Sequence, residues 1–246
     1  MPKFFAPREN ITDTKITIDS EDAKHIERVL RLGTGDEITI CDGRGIDYKT
    51  KICQITKSSV ICDILSREKC DTEPEIKITL YQGIPKASKM DYIIQKTTEL
   101  GITRIVPVTL SRCVVKLENC NAVKKKVERW QKIAYEAAKQ SGRGVIPDIA
   151  MPVTIDEAIE AMKKSDLAFA PYECEADTRL RDVIRNKSDV DTVSFMIGPE
   201  GGFDITETQR LTEAGITTIT LGKRILRTET AGEAVLAMLM YGFEEV

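Results

Sequence analysis

Two stretches of this chain hold residue types that could bind and act on a ligand: IGPEGGF (197–203) and LGKRILRTETAGEAVL (221–236). In the first, Gly198, Gly201 and Gly202 let the main chain turn tightly and come close to a bound group. The second follows a β-branched run, Ile216 to Thr220, and crowds Lys223, Arg224, Arg227, Glu229 and the hydroxyls of Thr228 and Thr230 ahead of an apolar helix. Thr230 with Glu233 has capping-box spacing, which predicts a helix starting at about Ala231. That cap has no use for Arg227, Thr228 or Glu229, which are left for chemistry. Two familiar phosphate-binding patterns fail on spacing. No G-x-G-x-x-G joins a first strand to a first helix, and Gly222-Lys223 has Thr217 and Arg224 where a phosphate loop needs glycine and Ser/Thr.

The elements around these stretches read as strands alternating with helices. Strand-like runs occupy 76–84, 104–110, 167–172, 192–198 and 216–222, and helical ones 89–100, 122–140, 155–164, 205–214 and 232–243. Such alternation implies a mostly parallel sheet covered on both faces, an α/β fold. An open parallel sheet binds its ligand beyond the carboxyl ends of its strands. There stand the loop ECEAD after 167–172, the loop GPEGGFD after 192–198, and the charged stretch itself. Asp204 with Glu207 predicts a second capping box. The final helix is apolar in a row from Ala234 to Met240, which predicts burial all round.

Residues 1–72 read differently. Alternating segments near 37–41, 46–55 and 59–65, split by DGRG and KSS, predict hairpins. With one helix over 20–32, capped by Ser20, they describe a small β-barrel ending at the polar CDTEPE (70–75). The remaining 73–246 form the second domain.

Composition narrows the functional classes. No apolar run approaches a membrane span, and MPKFFAPREN lacks the apolar core of a secretory signal, so a cytoplasmic protein is expected. Seven cysteines scatter without a C-x-x-C pair and His25 is the single histidine, so no metal site is expected. The net charge of −3 hides a block: nine Lys/Arg against three Glu lie between Arg112 and Arg143. Such a block is either a solvated helix face or a surface that tracks phosphates. Val123, Val127, Trp130, Ala134 and Ala137 give the helix a packing face, which sends Lys124, Lys125, Arg129, Lys132 and Lys139 outward.

Both ligand stretches, together with HIERVLR (25–31), DGRG (42–45), KMDYIIQKTTELG (89–101), SRCVVK (111–116) and ERWQKIAYEAAKQSGRGVIP (128–147), carry a resemblance. They resemble the SPOUT superfamily of methyltransferases, and specifically the family that methylates N3 of a uridine in 16S ribosomal RNA. The resemblance runs over nearly the whole chain. It departs at Lys3, where arginine is common, and at Cys113, where serine is usual.

The resemblance implies a PUA-like β-barrel that helps dock RNA, followed by a SPOUT domain whose chain threads a deep trefoil knot. It implies a homodimer binding S-adenosylmethionine, with 16S rRNA in the small ribosomal subunit as partner. Pro171, Glu173, Gly198, Pro199, Glu200, Gly201, Leu221, Gly222, Ile225, Leu226, Thr228 and Ala231 would hold the cofactor, Ile225 and Leu226 giving adenine an apolar wall. Uracil N3 carries a proton that must leave, so Glu229 or Glu200 is the expected acceptor and Arg227 the cation that stabilises the resulting anion. Lys3, Arg8, Arg31, Arg112, Lys116, Arg129, Lys132 and Arg143 are the expected RNA contacts. A non-catalytic RNA-binding protein would leave both ligand stretches idle. A SPOUT enzyme acting on transfer RNA or on a ribose would use them.

Overall fold

The computed structural model describes residues 3–114, 120–185 and 190–243. The chain divides into two compact units, Met1–Glu73 with Ala138–Ile146, and Pro74–Ala137 with Pro147–Val246. The sequence division between 72 and 73 is contiguous and therefore leaves out the second segment of the first unit.

In the first unit, β1 (Lys3–Phe5), β2 (Lys15–Asp19), β3 (Glu37–Cys41), β4 (Ile46–Ile55) and β5 (Ser59–Lys69) form one sheet in the order β1-β3-β4-β5-β2. Helix α1 (Ser20–Lys24) starts one residue after its cap position, Asp19, and gives way to a π-helical turn at His25–Val29. The expected helix over 20–32 is thus shorter and changes pitch; Arg31 then adopts a left-handed φ of 55°. Alternation along β2 and β3 buries Ile16, Ile18, Ile38 and Ile40 with Phe4, Ile26 and Val60.

Three expected surface cations are consumed inside this unit. Arg143 is 3% exposed. Its Nη2 lies 2.6 Å from Glu73 Oε2, and Glu73 Oε1 also accepts from the N–H groups of Gly144 and Val145 at 2.8 and 3.0 Å. A buried charge must be paired, and this pairing closes the segment onto the unit. Lys3, with a side chain 11% exposed, donates to Asp47 at 2.8 Å and to the Gly142 carbonyl at 3.1 Å. Lys139 pairs with Asp22 and lies over the Phe4 ring, so it does not point outward. Lys3 and Arg143 are therefore structural cations here, contrary to the expected RNA role.

The second unit is built on parallel strands: β6 (Lys77–Gly83), β7 (Arg104–Thr109), β8 (Asp148–Ile149), β9 (Val153–Thr154), β10 (Leu167–Pro171), β11 (Thr192–Ile197) and β12 (Thr217–Ile219). Their order is β12-β10-β11-β6-β7-β8, with β9 also pairing β7. Helices α2 (Lys89–Glu99), α3 (Cys120–Gln140), α4 (Ile155–Met162), α5 (Leu180–Ile184), α6 (Ile205–Glu213) and α7 (Thr228–Gly242) connect or cover them. One core gathers Ile78, Leu80, Ile93, Trp130, Phe169, Phe195 and Leu236; a second gathers Val106, Val108, Met162, Met196 and Leu211. No helix among the described residues is long and apolar enough to cross a membrane.

Helix α7 departs from expectation at its start and along one face. It begins at Thr228, with Arg227 at the cap position and no capping side chain. Thr228 is spoken for: its hydroxyl donates to the Gly198 carbonyl at 2.6 Å and accepts from Gln82 Nε2 at 2.9 Å. Those bonds fix the first turn three residues upstream of the expected start. Glu233 instead meets the Tyr92 hydroxyl on α2. Nor is the helix buried all round. Met238 is 40% and Tyr241 79% exposed.

Replacing Thr228 by Val keeps the shape but deprives a buried carbonyl and a buried amide of their partner. Stability should fall by about 1–3 kcal/mol, read from urea midpoints at unchanged slope, while Thr228→Ser should lose much less. A larger loss for Thr228→Ser than for Thr228→Val would place the stabilisation in the methyl group.

Candidate active site

The carboxyl ends of β10, β11 and β12, with Lys89 at the start of α2, surround a cavity of about 1070 Å³. Its walls come from the segment after β10 (Tyr172, Glu173, Glu175), the glycine loop after β11 (Gly198 to Phe203), and the stretch after β12 (Thr220 to Thr228). Each wall has a local reason to hold its shape.

The glycine loop is held from both sides. Asp204 caps α6, accepting from Thr206 N at 3.1 Å, and Glu207 returns a bond from the Asp204 N–H at 2.8 Å, completing the expected capping box. The other Glu207 oxygen accepts from Ser111 N at 2.7 Å. Arg112, expected on RNA, donates to the Gly201 carbonyl at 2.7 Å and lies 3.5 Å from Asp204, so its guanidinium braces the loop. Gly202 has φ +68°, and a Cβ there would stand 2.5 Å from Glu173 Oε1. That left-handed backbone favours glycine, and with glycine there the Glu173 carboxylate can lie against the loop.

The segment after β10 folds around Glu175, which accepts from the N–H groups of Asp177 and Thr178 at 3.0 and 3.2 Å and from the Thr218 hydroxyl at 3.0 Å. These bonds, the two backbone donors foremost, hold its carboxyl below the usual range. Glu173, by contrast, makes no hydrogen bond with its side chain among the described residues and faces the cavity. The stretch after β12 is tied at Thr220, whose N–H donates to the Thr178 carbonyl at 2.8 Å, and again at Thr228. Between these ties, Lys223, Arg224 and Arg227 are exposed, and none forms an ion pair among the described residues.

Pro171, Glu173, Gly198, Pro199, Glu200, Gly201, Leu221, Gly222, Ile225, Leu226, Thr228 and Ala231 all line this one cavity, as does Arg227. Ile225 departs in one respect. It is 86% exposed, whereas Leu226 packs against the core, so of the two only Leu226 offers a fixed apolar wall. Glu229 is not among the lining residues. It points to Lys89 on α2, with its Oε2 at 3.2 Å from Nζ. Glu200 reaches the same ammonium at 3.3 Å and accepts from the Lys86 N–H at 3.0 Å. Burial works against the Glu200 charge, but the donation from its own N–H, from Lys86 and from Lys89 outweighs it, so its carboxyl lies below the ordinary range. Burial likewise opposes the charge on Lys89, and Glu229 and Glu200 outweigh it, raising its pKa.

Two residues of this site carry no sequence signal of the kind used above. Gln82 sits in an apolar strand, and a polar side chain at a buried strand position is the mark that could have found it. Lys89 opens a helix, where a cation is disfavoured by the helix dipole, and that misfit is its mark.

Of the remaining expected RNA contacts, Arg8, Arg31 and Lys132 are exposed. Arg129 is committed to Asp91 through two bonds, one of 2.8 Å, so its charge is paired although its side chain is half exposed. Lys116 lies outside the described residues. Lys124 and Lys125 are exposed on α3. Among the described residues no cluster of three His, Cys, Asp or Glu could hold a metal ion.

Comparison with known proteins places this geometry. A profile for an RNA methyltransferase domain matches residues 72–240, and one for an RNA methyltransferase PUA domain matches residues 18–65. The chain is 35% identical, over 93% of its length and 90% of the relative's, to ribosomal RNA small subunit methyltransferase E of Bacillus subtilis. Its fold is similar to the crystal structure of ribosomal RNA small subunit methyltransferase E from Neisseria gonorrhoeae bound to S-adenosyl methionine, with TM-score 0.87, 34% identity, and 98% and 97% of the two chains covered. A methyltransferase from Legionella pneumophila in complex with the same cofactor aligns with TM-score 0.85 and 30% identity over 98% and 97% of the chains. The first unit is accordingly PUA-like and the second a parallel-sheet methyltransferase domain. The chain belongs to the RNA methyltransferase family that includes the ribosomal RNA small subunit methyltransferase E proteins.

Proposed function

We propose that this protein transfers a methyl group from S-adenosylmethionine to N3 of a uridine in 16S ribosomal RNA of the small subunit. The observation that carries the reading is the convergence of three loops on one cavity at the carboxyl edge of the parallel sheet, in a chain of this family. When bound, S-adenosylmethionine supplies a methyl already activated on a sulfonium.

The lining suits such a ligand. Main-chain groups of Gly198, Gly201, Leu221 and Gly222 can meet a nucleoside closely, and Leu226 gives the base an apolar surface. Glu173, with its carboxylate uncommitted, offers an acceptor for ribose hydroxyls or a counter-charge for a cationic ligand. The stretch from Leu221 to Arg227 would complete the trefoil knot that the family resemblance implies. Arg227 stands at the cavity with no anionic partner among the described residues, which suits stabilisation of the uracil anion. The N3 proton must pass to an acceptor, with Glu200 facing the cavity and Glu229 turned away from it.

RNA docking would draw on Arg8 and Arg31 in the PUA-like unit and on Lys124, Lys125 and Lys132 along α3, all exposed. The reaching of a structured ribosomal base requires that it be splayed out of its stack. The open face of α7, with Met238 and Tyr241, is the surface on which a second copy would pair to form a homodimer. Such an enzyme would work in the cytoplasm, where ribosomes are assembled.

Mass spectrometry of 16S RNA after incubation with S-adenosylmethionine should reveal one base-methylated uridine. A methylated ribose, or methylation of transfer RNA alone, would refute the assignment. Arg227→Ala should keep cofactor affinity within about threefold and lower single-turnover transfer by about a hundredfold or more; unchanged turnover would remove Arg227 from the chemistry. Reversing Lys125 and Lys132 to Glu should weaken RNA binding and flatten its dependence on salt, and binding indifferent to both would make α3 a merely solvated face. Sedimentation of Tyr241→Glu should report monomers where the unaltered chain reports dimers, and a dimer that survives must be held elsewhere.

A further inference from the structure

We propose that Lys89 is a positioning residue that fixes Glu200 as the proton acceptor, and that Glu229 serves Lys89 and not the substrate. The inference deepens the function proposed above and rests on it.

Sequence offers Glu200 and Glu229 as equals, but the geometry separates them. The contacts that other residues make with the Glu200 carboxylate fall on one oxygen: the Lys86 N–H reaches Oε1 at 3.0 Å and Lys89 Nζ reaches it at 3.3 Å. Oε2 takes no hydrogen bond from another residue among the described ones, and Glu200 lines the cavity. A carboxylate anchored through one oxygen keeps the other aimed, which is what proton abstraction in a fixed geometry needs. Glu229 does not line the cavity, and its Oε2 is buried against Lys89.

Lys89 is the common point. It opens α2, where the helix dipole disfavours a cation, so its placement needs the two carboxylates that meet it. Those carboxylates come from the glycine loop and from the first turn of α7. One ammonium thereby ties α2, α7 and the glycine loop at the edge of the cavity. In the transfer, the proton on the ring nitrogen passes to Oε2 of Glu200 and from there to water. Lys89 keeps Glu200 ionised beforehand and gives up no proton itself.

The charged and titratable groups facing Glu200 are Lys89 on α2, Glu229 on α7 through that lysine, and Cys113 on the segment after β7. Arg112 is turned to Gly201 and Asp204. Lys89 is therefore the cation whose removal should move the Glu200 titration. The sign follows. Glu200 must be ionised to accept, so transfer fails as pH drops through its pKa, and loss of Lys89 raises that pKa.

The test has two readouts. Carboxyl-carbon NMR titration of Glu200 in the cofactor-free protein, assigned with Glu200→Gln, should move to higher pH in Lys89→Met and return toward its original place in Lys89→Arg. In single-turnover methylation of 16S RNA, Lys89→Met should lower the rate constant at neutral pH by about tenfold or more, with RNA affinity within a few-fold. The acidic limb of its pH–rate profile should move upward with the titration. Glu229→Gln should cost far less than Glu200→Gln, and this comparison stands even if Lys89→Met does not fold. A Glu200 titration indifferent to Lys89, an acidic limb that stays in place, or equal losses at Glu229 and Glu200 would each overturn the inference. Failure of the unaltered protein to methylate any RNA would instead sink the functional reading, while the titration would still report whether Lys89 governs Glu200.

Discussion

The site depends on one buried hydroxyl. Thr228 Oγ1 joins Gln82 of β6, the Gly198 carbonyl of the loop after β11, and the first turn of α7. Strand β12 lies at the far edge of the sheet, beyond β10 and β11, so the chain must travel back across the carboxyl ends to start α7 over β6. Without a tie at the end of that crossing, the stretch from Leu221 to Arg227 would have no reason to stay over the cavity. A buried hydrogen-bonded link is directional in a way that apolar packing is not. It sets where the charged stretch ends and the helix begins.

Around that tie the charges are divided by function. Those that hold loops are paired: Arg112 with Asp204 and the Gly201 carbonyl, Glu175 with backbone donors, Lys89 with Glu200 and Glu229. Others that line the cavity, Glu173, Lys223, Arg224 and Arg227, form no ion pair among the described residues. A chain that pairs the charges of its loops and leaves these open has fixed its scaffold first and kept its electrostatics for something that arrives later.

Much of the fold was legible in sequence because its signals are local. The strand-like runs at 192–198 and 167–172, the Asp204–Glu207 capping box and the packing face of α3 each follow from local signals within a few residues. The cavity-lining loops were legible for the same reason, since glycine and charge at strand ends leave a mark. What was not legible is long-range pairing. Nothing within twenty residues of Thr228 says that it will bond Gln82, so the Thr230–Glu233 spacing looked like the cap and the helix was started too late. Cations read by composition as a phosphate surface divided once tertiary partners were known. Arg143 belongs to Glu73, Lys3 to Asp47, Lys139 to Asp22, Arg129 to Asp91 and Arg112 to Asp204, while Arg8, Arg31, Lys124, Lys125 and Lys132 are exposed. The face of α7 bearing Tyr241 looked like core because its letters are apolar, and a single chain leaves it uncovered.

Gly202 has a wider consequence. With φ +68° and the Glu173 carboxylate where a Cβ would go, part of the cavity floor is bare main chain. Main chain offers no side chain for drift to exchange, so the contour of this recess can change over evolutionary time only through insertions, deletions or a wholesale rebuilding of the loop. Descendants of such a protein would diverge first around the rim, in what they dock, and last in the small molecule they accept.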